Sequence, residues 1–150
     1  MKMYQVDAFT TELFKGNPAA VIVSNDWLDA SMMQNIAAEN NLAETAFVKV
    51  IDDENYEIRW FTPTLEVDFC GHATLASSFV LFKDYTQAKK LKFHVKNLGI
   101  FEITQASDGM IQMNFPIRKP YKVEDYPELL NEVIDRPIFE VYLNQQAYIL

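Results

Sequence analysis

Cysteine, positive charge and long apolar runs are all scarce in this chain. One cysteine, Cys70, stands among 150 residues, so no disulfide can close within the chain. Such usage fits a reducing compartment. Lys and Arg number 13 against 21 Asp and Glu, a net charge of −8. That balance excludes the broadly basic surface by which nucleic acid or an anionic membrane is held, so neither is expected as a partner. The one basic cluster, Lys89, Lys90, Lys92 and Lys96, alternates like the wet face of a strand. No run reaches the ~20 apolar residues of a membrane-spanning helix. The chain does not open on a charged segment followed by an apolar one, so no secretory signal is expected and a cytoplasmic location is. Zinc-type Cys/His spacing, the Gly-rich dinucleotide pattern, the P-loop, internal repeats and low-complexity tracts are all missing. Neither a metal nor a cofactor is expected.

What is present is an ordinary globular composition, 49% apolar and 23% charged, in a chain long enough for one domain with a real core. Its centre is the stretch from Leu65 to Lys83. Leu65 to Phe69 reads as a short strand, Cys70-Gly71-His72 as a tight turn, and a helix opens near His72. In that helix Ala73, Leu75, Ala76, Phe79, Val80, Leu81 and Phe82 leave only Thr74, Ser77 and Ser78 as polar residues, all small. A helix apolar all round is a buried one. Phe79 is therefore expected inside, and Phe79→Ala to cost about 3–5 kcal/mol. The helix start offers unpaired N–H groups and the positive end of the dipole to an anion, and Gly71 has no Cβ to keep a ligand away. Two readings fit Cys70: a small hydrophobe under a sharp turn, or a thiol flanking a site.

Around this centre the strands fall in order. Met3 to Phe9 alternates, with Tyr4, Val6 and Ala8 on one face. Phe14 to Pro18 is loop chemistry, and Ala19 to Val23 reads as a strand buried on both faces. Asp29 is placed to cap a helix from Ala30 to about Glu39, with Met32, Met33, Ile36 and Ala37 inward, and Asn40-Asn41 to end it. Ala43 to Val50 and Tyr56 to Phe61 read as a hairpin. Glu44, at the mouth of the first of these strands between apolar neighbours, is either a solvated strand-end charge or an acid/base group. Leu91 to Val95, Ile100 to Gln105 and Met110 to Phe115 are further strands, and Asp108-Gly109 is a strong turn signal. His94 lies in a strand without a second ligand-type residue at useful spacing and reads as structural. Pro116 to Pro127 looks like a surface linker, followed by a short helix near Glu128 to Ile134 and strands near Phe139 to Leu143 and Ala147 to Leu150. The pattern predicts an α+β domain whose curved, mostly antiparallel sheet wraps a central buried helix.

Five ordered segments carry a family resemblance. Gln5 to Phe9, Phe14 to Val21, Ala37 to Phe47, Arg59 to Pro63 and Asp68 to Ala76 follow the order and spacing of the phenazine-biosynthesis-like (PhzF-like) proteins of the diaminopimelate-epimerase-like fold. The match runs from the N-terminus to about Pro116. It implies two similar halves, each a sheet around a central helix, with the active site in the cleft between them. It also implies a cofactor-independent isomerase that moves a proton on a small carboxylate substrate. Carried over, Glu44 is the general acid/base, Gly71 and His72 hold the substrate carboxylate, and Asn17 faces the cleft from its loop. Apolar neighbours suit a carboxylate that must take up and return a proton. Ala43 departs from the family, which often has Ser there, and this leaves the substrate open.

Family chains are about twice as long, so residues 1–116 are expected to be the N-terminal domain and 117–150 a linker with the truncated start of the second half. The fragment alone is expected to be inactive and to pair as a homodimer through its exposed cleft wall. Two other readings stand beside the isomerase. One is a thiol-dependent epimerase or racemase with Cys70 as base. The other is a non-catalytic binding or oligomerisation module.

Overall fold

In the computed structural model, which describes residues 1–12, 14–144 and 147–150, the chain forms two units, 1–115 and 116–150. The first unit is built on eight strands and two helices: β1 (Met3–Ala8), β2 (Asn17–Ser24), α1 (Ala30–Asn40), β3 (Glu44–Val50), β4 (Asn55–Phe61), β5 (Glu66–Val67), α2 (Gly71–Asp84), β6 (Lys90–Val95), β7 (Gly99–Gln105) and β8 (Ile111–Asn114). The sheet order is β1-β2-β3-β4-β6-β7-β8. β4 gives one edge to β3 and divides the other, its last residues pairing with β5 and its first with β6. Most pairs are antiparallel. The exceptions are β2 with β3 and β4 with β6, each joined by a crossover that contains a helix.

Period-two alternation sends side chains to opposite faces, and each face receives one helix. Val21, Ala46, Val48, Tyr56, Ile58 and Trp60 point to the face that packs on α2. Ile22, Phe47 and Phe61 point the other way and meet Met33 and Ala37 of α1. This is why β2 is apolar without alternation: both of its faces are covered. α2 touches β1, β2 and β3 toward one edge of the sheet and β8 at the other. A flat sheet could not reach one helix from both edges, so the sheet curls around α2.

Three expectations need correction. Phe79 is 46% exposed, and the small polar residues Thr74, Ser77 and Ser78 are buried instead. Each hydroxyl donates to the carbonyl four residues back: Thr74 to Cys70 at 2.6 Å, Ser77 to Ala73 at 2.7 Å, Ser78 to Thr74 at 2.8 Å. A hydroxyl satisfied on its own helix carries little desolvation cost, and a small side chain lets helix and sheet approach closely. On α1, Met32 is 52% exposed while Met33 and Ala37 fill the core, because a stripe of 3.6 periodicity has room for only part of a Met-Met pair. α1 does end at Asn41 in the left-handed conformation, φ 50°, as Asn permits. The third correction lies in the second unit, where the expected linker contains a strand. Its β9 (Tyr121–Val123) pairs with β10 (Val141–Leu143), which pairs with β11 (Tyr148–Ile149), and the short helix α3 (Leu129–Val133) lies between β9 and β10 in the chain.

Candidate active site

Glu44 is the first residue of β3, and shares its parity with Ala46 and Val48. The pleat therefore aims its side chain to the α2 face of the sheet. The approach to it is fixed locally: Asn41 makes the left-handed turn out of α1, and Asn40 Nδ2 donates to Thr45 Oγ1 at 3.2 Å across Glu44 itself. In the parallel register Ala19 lies beside Glu44. Asn17, two residues earlier on β2, falls on the same face at the same end of the sheet. It is the first residue of the strand rather than part of the loop before it. Gly16 sets that entry. Its φ is +86°, and a Cβ there would meet the Ala8 carbonyl oxygen at 2.2 Å, so no other residue fits without moving the backbone.

The second wall is the start of α2. Phe69 anchors it through edge-to-face contacts with Trp60, Phe101 and Phe115, ring centroids 5.9, 5.5 and 4.9 Å apart. Cys70 follows in extended conformation as the residue before the helix, and the first intrahelical bond runs from Thr74 N to Cys70 O at 3.1 Å. The N–H groups of the first turn thus lack intrahelical acceptors, as at every helix start. A Cβ on Gly71 would have only the Phe69 ring edge near it, at 3.9 Å. The fold does not demand glycine there, and the space above it is open.

These two walls bring three of the expected residues together. His72 Nε2 faces Glu44 Oε2 at 3.2 Å, and His72 Nδ1 faces Cys70 Sγ at 3.3 Å. The His72 side chain is 10% exposed and that of Glu44 20%. Glu44 Oε2 and His72 Nε2 are buried atoms without a well-aligned hydrogen bond, so their approach is close in distance and oblique in direction. Donor atoms of Glu44, Cys70 and His72 lie within 4.8 Å of one another, a spacing that a metal ion could bridge. The thiol and the carboxylate, however, face opposite nitrogens of one ring, so no single nitrogen faces both. Burial, first of all, pushes the Cys70 thiol up to about 11, and the nearby Glu44 carboxylate adds to it, while the N–H groups of Ala73 and His72 pull the other way. The thiol keeps its hydrogen at neutral pH.

A groove of about 570 Å³ lies elsewhere, lined by Trp27, Arg59, Glu66 and His94 among others. Two of its charges are paired with each other: Arg59 Nε and Nη2 each donate to Glu66 at 2.7 Å. His94 Nε2 sits 3.1 Å from Asn55 Oδ1, which agrees with its structural reading.

Residues 6–136 match the family described as phenazine biosynthesis-like protein. The chain belongs to this family. It is 45% identical over 135 residues to an uncharacterized isomerase of Halalkalibacterium halodurans, covering 89% of this chain and 49% of that one. A Pseudomonas aeruginosa protein, also named an uncharacterized isomerase, is 45% identical over 120 residues, 80% of this chain and 46% of its own. Among solved structures, a PhzF-family protein of Enterococcus faecalis superposes with a TM-score of 0.77 at 44% identity, over 94% of this chain and 53% of that one. The chain thus spans about half the length of the curated relatives it matches. Among the described residues, no helix is long and apolar enough to cross a membrane.

Proposed function

We propose that this chain supplies one wall of the active site of a cofactor-independent isomerase that moves a proton between two carbons of a small carboxylate substrate. Glu44 is the general acid/base. The observation that carries the reading is the pair of buried atoms, Glu44 Oε2 and His72 Nε2, facing each other at 3.2 Å beside the open start of α2. Buried polar atoms without a good internal partner are kept where a ligand completes them. The substrate carboxylate binds at the N–H groups of Gly71 and His72, where the helix dipole favours negative charge. Asn17 borders the same end of the sheet and contacts the substrate from the β2 side.

In the reaction Glu44 takes a proton from one carbon, and the C–H bonding pair passes into the π system of the substrate. The same carboxyl group then returns the proton to a second carbon, where a new C–H bond forms. One base that faces both carbons is sufficient. Cys70 is unsuited to that task, because burial keeps its thiol protonated where the enzyme would work. The family names of the relatives support an isomerase. In D2O, the full-length protein should place deuterium in its substrate, and Glu44→Gln should abolish both isomerisation and deuterium incorporation while leaving ligand binding largely intact. Turnover by Glu44→Gln close to that of the wild type would sink the reading.

A further inference from the structure

Cys70 has no task in the reaction just described, yet its sulfur sits against the ring that faces the acid/base. We propose that Cys70 is a positioning residue: its S–H donates to Nδ1 of His72 and so holds the imidazole as the Nε2–H tautomer, with that N–H on the side of Glu44. The inference rests on the reading of Glu44 as the acid/base and adds the group that orients its partner.

The hydrogen-bond inventory leads to this arrangement. The ring lies between two groups, Sγ at 3.3 Å from Nδ1 and Oε2 at 3.2 Å from Nε2. A neutral imidazole has one donor and one acceptor nitrogen. With the proton on Nδ1, the Nε2 lone pair would face a carboxylate oxygen across 3.2 Å, acceptor against acceptor, in a site where both atoms are buried. With the proton on Nε2, an N–H rather than a second lone pair lies on the carboxylate side, oblique to Oε2 and open to a ligand as well, and Nδ1 then needs a donor, which the thiol can supply. The N–H groups of Ala73 and His72 use the sulfur as an acceptor, so they do not compete for the S–H. Glu44 competes for that hydrogen. Donation to Glu44, however, leaves Nδ1 without a donor or forces the unfavourable tautomer. Burial keeps the thiol protonated through neutral pH, so the donor does not disappear under working conditions. The second ring of this kind, His94, has a separate partner in Asn55 and is outside the relay.

Nitrogen-15 spectra of the labelled protein near pH 8, above the ordinary imidazole value of about 6.5, read the tautomer directly. His72 should show a pyrrole-type Nε2 and a pyridine-type Nδ1. Cys70→Ser, which still offers a donor, should keep that pattern. Cys70→Ala should shift His72 to a mixture of tautomers while the His94 signals stay in place. In the full-length enzyme, Cys70→Ala should lower kcat about tenfold, the loss of roughly one hydrogen bond, with KM little changed, and Cys70→Ser should restore most of it. An Nδ1–H or doubly protonated His72 in the wild type overturns the proposal even if the alanine variant fails to fold. So does a Cys70→Ala protein that retains the wild-type tautomer. Full turnover by Glu44→Gln would sink the isomerase reading alone and leave the tautomer result standing.

Discussion

The two sides of α2 differ in size more than in polarity. One side presents Ala73, Thr74, Ala76, Ser77 and Ser78 over the first two turns, with Val80 and Leu81 after them, all buried. The other carries Leu75, Phe79 and Phe82, with Phe79 nearly half exposed and the Lys83 ammonium 5.6 Å from its ring centre. Hydrophobicity alone would have put the second side inward. Along the first two turns the helix backbone lies so close to the sheet that only small side chains fit between them, while Val80 and Leu81 fill the core farther along, and hydroxyls become tolerable because each bonds the carbonyl one turn back. Close approach also brings the start of α2 within hydrogen-bonding reach of β3, and Glu44 to His72. The packing that rejects Phe79 is the packing that assembles the site.

Three substitutions sharpen this contrast. Leu81, fully buried at the inner end of the helix, should cost about 2–5 kcal/mol when changed to Ala, read from the denaturant midpoint. Ser77→Leu should cost about 1–3 kcal/mol by overpacking, although it makes the helix more apolar; a neutral or stabilising result would show that the small face has spare room. Phe79→Ala should cost less than about 1 kcal/mol, as exposed positions usually do. A loss as large as that of Leu81→Ala would place the ring in a core and break the comparison.

How much of this was legible in the sequence depends on range. Alternation in Tyr56, Ile58 and Trp60, the Asp108-Gly109 turn and the Asn41 stop are local signals, and the elements they mark are present. Pairing between distant segments is not local: nothing in Ala19 to Val23 announces a parallel partner in β3, nor in β4 one in β6. The short strand read over Leu65 to Phe69 is present as β5, whereas β9 is not legible, because partners rather than propensity make so short a segment extended. The site followed the same rule. Cys70, Gly71 and His72 stood out as a turn before a helix, but their meeting with Glu44 depends on the curl of the sheet, and only the family resemblance joined them. Asn40, whose amide bonds Thr45 across Glu44, was missed as a supporting residue. Its signal was an Asn pair just ahead of the acidic strand end.

The most direct test of the account compares two variants of the full-length protein in one turnover assay. Glu44→Gln should reduce kcat to background, and Cys70→Ser should retain substantial activity, because the first removes the proton carrier and the second only exchanges one donor beside His72 for another. The opposite order, with Cys70 essential and Glu44 dispensable, would contradict the account and make the thiol the base.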